Sequence, residues 1–252
     1  MNFKVEGSGE SLVFIHGLSD SLLYWEFLAS NLRSEYQVIR LDLPGHGESE
    51  LGTDEISIEL FSDDLKKLLS KLNIEKVHLV GFSLGGAVAL DFAIRYSENV
   101  SSIVLMSSFS KSDEYLDDVF TQFKDALEVG FEEFYDLILP MVLCPDVIEN
   151  NRKELKFIKD FASKTANTTA YIKAVDACRN FNVEKHLSKV NVPTLILAGE
   201  YDEISHLSSQ RELHENINNS ELKIFQNTKH NLLVGDNNTK ILNILNDFYK
   251  SI

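Results

Sequence analysis

Short apolar runs alternate with amphipathic stretches along most of the chain. Leu12 to Ile15, Tyr36 to Leu41, Val77 to Val80, Val100 to Met106, Pro193 to Ala198 and Leu222 to Phe225 are strand-length and rich in Val, Ile, Leu and Phe. Such runs are expected of strands buried within a covered sheet. Between them the apolar positions recur at helical spacing. In the clearest case Ile56, Leu60, Phe61, Leu65, Leu68, Leu69 and Leu72 fall on one face, predicting a helix with Asp54 as its N-cap. Further helices are predicted near Ser21 to Leu32, over Leu84 to Tyr96 and over Ile241 to Tyr249. Apolar strands separated by helices predict an α/β fold, a mostly parallel sheet with helices on both faces.

The middle of the chain departs from this rhythm. From Ser110 to Lys189 there are helical patterns and no strand pattern. Residues 110–189 therefore read as a helical insertion on a core formed by 1–109 and 190–252. Positions 109–181 hold 11 of the 25 aromatic residues. A small helical layer needs aromatics for its own core, and some of them can also wall a pocket beneath it.

Composition narrows the partners. With 24 Lys and Arg against 39 Asp and Glu, the net charge is −15, which opposes binding to nucleic acid or to anionic membranes. No apolar run is long enough for a membrane helix, and Met1 to Gly7 has no signal-peptide character, so a cytoplasmic protein is expected. Cys144 and Cys178 lie in no metal-ligand spacing and are expected to be reduced, buried thiols. No metal or other cofactor is called for.

The sharpest chemical signal is Gly81-Phe82-Ser83-Leu84-Gly85. A G-x-S-x-G match alone is weak, but this serine falls where a buried strand ends and a helix begins. A nucleophile elbow requires that place. A serine hydroxyl needs a base to take its proton, and a histidine base needs an acid to fix its tautomer. On a sheet of this winding the acid and then the histidine should follow the serine. Asp202, just past the strand ending at Ala198, is the preferred acid, with Glu200 and Glu203 as rivals on the same loop. His16, His46 and His78 violate the order, His186 ends the insertion, and His206 and His214 are expected on a solvent-facing helix. His230, between the last strand and the last helix, is the remaining base. The oxyanion of a tetrahedral intermediate would be held by the backbone N–H of Leu84, at a helix N-terminus, and that of Leu18, after the first strand.

These motifs resemble the α/β-hydrolase superfamily in its compact form with a helical cap. The resemblance rests on His16-Gly17 with Trp25 downstream, Asp42-Leu43-Pro44-Gly45-His46-Gly47-Glu48-Ser49, Gly81 to Gly86, Pro193 to Asp202 and the His230 loop. It implies that the Asp42 to Gly47 motif supports the site without taking part in chemistry. The end of the insertion, Tyr171 to Leu187, looks most like carboxylesterases and enol-lactone hydrolases. The leading expectation is a cofactor-free serine hydrolase acting on a small-molecule ester, thioester or lactone, as a monomer or homodimer. The resemblance also covers C–C bond hydrolases, a lyase of menaquinone synthesis and ligand-sensing proteins. Residues 111–150 contain 11 acidic residues against two lysines, which points to a neutral substrate. Within the insertion, Arg152 and Arg179 are the residues able to grip a carboxylate.

Overall fold

A computed structural model describes residues 1–53 and 55–252. The strands are β1 (Phe3–Glu6), β2 (Ser11–Ile15), β3 (Gln37–Leu41), β4 (Val77–Phe82), β5 (Val100–Met106), β6 (Thr194–Gly199) and β7 (Ser220–Phe225). The α-helices are α1 (Glu26–Leu32), α2 (Ile58–Lys71), α3 (Leu84–Arg95), α4 (Glu114–Val129), α5 (Phe131–Val142), α6 (Pro145–Asn150), α7 (Arg152–Thr165), α8 (Thr168–Asn180), α9 (Leu207–Asn216) and α10 (Asn237–Ser251). The seven strands form one sheet in the order β1-β3-β2-β4-β5-β6-β7. Only β1 runs antiparallel, against β3.

The strand period divides the core in two. Val13, Ile15, Leu79, Ile103, Leu105 and Ile196 point to one face, where they meet Phe61 and Leu65 of α2 and Val88 and Phe92 of α3. Leu12, Phe14, Val80, Val104, Leu195 and Leu197 point to the other, against Trp25, Leu28 of α1 and Ile241 and Leu245 of α10. Both faces are covered, which is why the central strands read as continuous apolar runs rather than as alternation.

Several local expectations change. The first predicted helix begins as a 3-10 turn over Leu22–Trp25 before α1. The cap of α2 is Ser57, whose Oγ accepts from the Leu60 N–H at 3.1 Å. Asp54, the expected cap, lies outside the described residues. β1 was not expected, because a short edge strand with exposed Lys4 and Val5 carries little apolar signal. Between β5 and β6 lie α4 to α8, and among the described residues the only β pairing there is an isolated bridge between Lys111 and Asn182.

Candidate active site

Ser83 sits between the end of β4 and the first turn of α3 with φ 51° and ψ −116°, a left-handed conformation that costs a non-glycine residue strain. Surrounding bonds hold it there. Its N–H donates to the Met106 carbonyl at 2.9 Å, and its own carbonyl accepts from the Ser108 hydroxyl at 2.9 Å. The turn also requires close backbone approach. A Cβ on Gly85 would collide with the Ile15 carbonyl oxygen, and one on Gly81 with the Gly85 carbonyl oxygen. Leu84 is the first residue of α3, so its N–H has no partner within the helix.

Asp202 follows β6 and His230 follows β7, and both are buried. The His230 Nδ1 lies 2.9 and 2.8 Å from the two Asp202 carboxylate oxygens. Asp202 Oδ1 also accepts from the N–H groups of Ile204 at 2.9 Å and Ser205 at 3.0 Å, and Oδ2 accepts from the Ser205 hydroxyl at 2.9 Å. The carboxylate therefore fixes both the orientation and the tautomer of the imidazole, leaving Nε2 as the ring's free acceptor. The rival acids lie elsewhere. Glu200 accepts from the Asn227 N–H at 3.0 Å, and Glu203 pairs with Lys229 at 2.8 Å.

The remaining histidines are otherwise engaged. His16 Nε2 accepts from the Leu43 N–H at 3.0 Å, so its Nδ1–H donates to the Gly17 carbonyl at 2.7 Å. Burial holds its pKa down to about 4. His46 packs between His16 and Tyr171, and burial followed by the charge of His16 holds it near about 3. His78 contacts the Ser102 hydroxyl at 2.7 Å, while His186 and His214 are exposed. His206 immediately precedes α9, instead of lying within it, and stacks on Tyr115. Asp42 accepts from Asn2 Nδ2, Leu22 N–H and Glu48 N–H at 2.7–2.9 Å, so it ties the β1, β2 and β3 loops together.

Leu18, Ser83, Leu84 and His230 all line one cavity of about 300 Å³. Much of its wall is apolar and comes from the helices after β5: Phe120 and Phe123 of α4, Phe131 and Phe134 of α5, Leu155 and Ile158 of α7. No Lys or Arg is among its described lining residues. Arg179 instead grips Asp117 through two bonds of 2.8 and 3.0 Å, and Arg152 pairs with Glu149 on the exposed surface. Cys178 is a buried free thiol in the wall, with its ionisation pushed up by burial. Cys144, expected to be buried, is only half-buried and lies against the Asn227 carbonyl.

Several residues of the site carry no motif. Phe82 packs against His230 and stacks on Tyr24, and the Tyr24 hydroxyl donates to Asn231 Oδ1 at 2.9 Å. Ser205 was detectable in principle, as a hydroxyl three residues after an acid at a helix approach. Asp20, on the wall beside Leu18, offered no signal, since its burial arises from distant segments.

A family model described as alpha/beta hydrolase fold matches residues 10–236. An uncharacterized protein of Mycobacterium tuberculosis is 36% identical over 142 residues, which cover 56% of this chain and 40% of that protein's length. The AB hydrolase superfamily protein YisY of Bacillus subtilis is 27% identical over 245 residues, covering 89% of this chain and 86% of its own. Among solved structures, the enol-lactonase of Burkholderia xenovorans superposes with a TM-score of 0.91 at 20% identity, over 99% of this chain and 96% of its own. A thermophilic esterase of Thermogutta terrifontis gives 0.88 at 21%, over 99% and 93%. These two likenesses are likenesses of fold.

Proposed function

The chain belongs to the α/β-hydrolase family, and on that premise we propose that it is a serine hydrolase cleaving neutral carboxylic esters, thioesters or lactones of small to medium size. The observation that carries this reading is one cavity walled by Ser83 in its strained turn and by His230 held on Asp202. In the proposed reaction His230 Nε2 takes the proton of Ser83 as Oγ adds to the substrate carbonyl. The charge that develops on the carbonyl oxygen is met by the N–H groups of Leu84 and Leu18. Collapse expels the alcohol, thiol or ring oxygen with the proton from His230 and leaves an acyl group on Ser83. Water, deprotonated by His230, then releases the acid. Nucleophile, base and orienting acid all come from the chain, so these steps call for no cofactor.

The helices α4 to α8 act in this reading as a cap over residues 1–109 and 190–252, and their aromatic wall receives the apolar part of the substrate. The absence of Lys and Arg among the described lining residues supports neutral substrates over carboxylate-bearing enol-lactones. A fluorophosphonate probe should label the protein, and Ser83→Ala should abolish labelling while keeping the fold. Equal labelling of both proteins would refute the proposal.

A further inference from the structure

One ionisable group on the cavity wall has no part in the steps above. Asp20 lies in the turn after β2, where its N–H donates to the Gly17 carbonyl at 3.4 Å, two residues beyond Leu18. It is the only carboxyl among the described lining residues, and no cation there answers it. Burial pushes its pKa up to about 7, against a single opposing bond from the Ser21 backbone. Its neighbours cannot neutralise a negative charge. Tyr24 on the following 3-10 turn and Tyr171 of α8 both feel its field, and each phenol is held protonated by its own burial. Tyr171 also feels Asp42, while His16 on the preceding segment is neutral above about pH 4. Ser83 and His230 line the same cavity. If the role of Asp20 were only to close a turn, an uncharged Asn would serve without this desolvation.

We propose that Asp20 sets the charge selectivity of the cavity: its carboxylate bars substrates that bring an anion into the cavity. This rests on the hydrolase reading and adds to it a specificity-determining residue. Like charges within about 12 Å at an effective dielectric of about 20 repel enough to change a rate about tenfold. A sphere of the cavity's volume, about 300 Å³, is about 8 Å across, which is inside that range.

The test compares kcat/KM for p-nitrophenyl hexanoate and for p-nitrophenyl hydrogen adipate, which is similar in length and anionic above pH 6. Steps common to both esters, proton removal from Ser83 included, cancel in their ratio. In the wild type the neutral-to-anionic ratio should rise about fivefold between pH 6 and pH 8, as Asp20 passes from mostly neutral to mostly ionised. Asp20→Asn should make the ratio independent of pH and lower it by a similar factor at pH 8. A flat wild-type ratio overturns the proposal even if the variant does not fold, and so does a variant that keeps the pH dependence. If neither ester is cleaved and Ser83 is not labelled by a fluorophosphonate, the hydrolase reading itself fails and this inference falls with it. Normal cleavage of the hexanoate with a flat ratio refutes the role of Asp20 alone.

Discussion

Replacing Asp202 by Asn tests the orientation of the proposed base most directly. In the native site Oδ1 accepts from two backbone N–H groups, and Oδ2 faces the Ser205 hydroxyl and His230 Nδ1. An Asn side chain keeps the two backbone bonds by placing its oxygen at the Oδ1 position. Its NH2 group then stands about 2.8 Å from His230 Nδ1, where the carboxylate oxygen was. Nδ1 must now accept a hydrogen bond, so the imidazole proton moves to Nε2, the atom proposed to take the proton from Ser83. The same inversion in serine proteases lowers kcat about 10⁴-fold, equivalent to about 5 kcal/mol of transition-state stabilisation. The variant should therefore lose about 10⁴-fold in kcat on p-nitrophenyl butanoate and react correspondingly slowly with a fluorophosphonate. Its melting temperature should change by only a few degrees, because the backbone bonds survive. A loss below about tenfold in a folded variant would refute the assignment of Asp202 as the acid that sets the tautomer.

Two further outcomes follow from the cavity and from the buried histidines. In a series of straight-chain p-nitrophenyl esters, kcat/KM should rise about fourfold per methylene, from about 0.8 kcal/mol of burial each, until the cavity is filled; a series with no rise would refute acyl binding against the aromatic wall. His16 and His46 have folded pKa values near about 4 and 3, below the ordinary 6.5, so their contribution to stability is complete above pH 6.5 and is lost as pH falls toward those values. Asp20, raised to about 7, acts in the opposite sense and offsets one of the two, which leaves a loss on the order of 2 kcal/mol between pH 6.5 and 5. Urea unfolding at the two pH values measures it, and His46→Gln should flatten the dependence.

The parts of the fold legible in the sequence were those whose signal is local. Leu12 to Ile15 and Ile103 to Met106 stand out because both faces of those strands are buried, leaving no polar residue to break the run. The segment Phe3–Glu6 does not, since it pairs on one side only and half of its residues face solvent. The insertion shows the same limit. Arg179 is a suitable carboxylate ligand by residue type, yet it is occupied by Asp117, 62 positions earlier in sequence. No spacing rule connects two helices that meet only in the folded chain. Asp20 was silent for the corresponding reason: its shifted ionisation comes from burial in the assembled wall, not from its sequence neighbours.

Why the candidate residues come together follows from the register of the sheet. Ile15 pairs with Gly81, Phe82 with Met106, Met106 with Leu197, and Gly199 with Phe225. Parallel strands in this register end along one common edge, so the loops after β2, β4, β6 and β7 open on the same side. Leu18, Ser83, Asp202 and His230 each lie within five residues of one of those strand ends. Finding the strands was therefore nearly equivalent to placing the four residues together. Ser83 needs the additional constraint of its turn, where Gly81 and Gly85 allow backbone contacts that no Cβ would permit. The helical wall has no such shortcut. Its residues come from helices whose packing on the core depends on side-chain fit over long sequence separations, which no local pattern records.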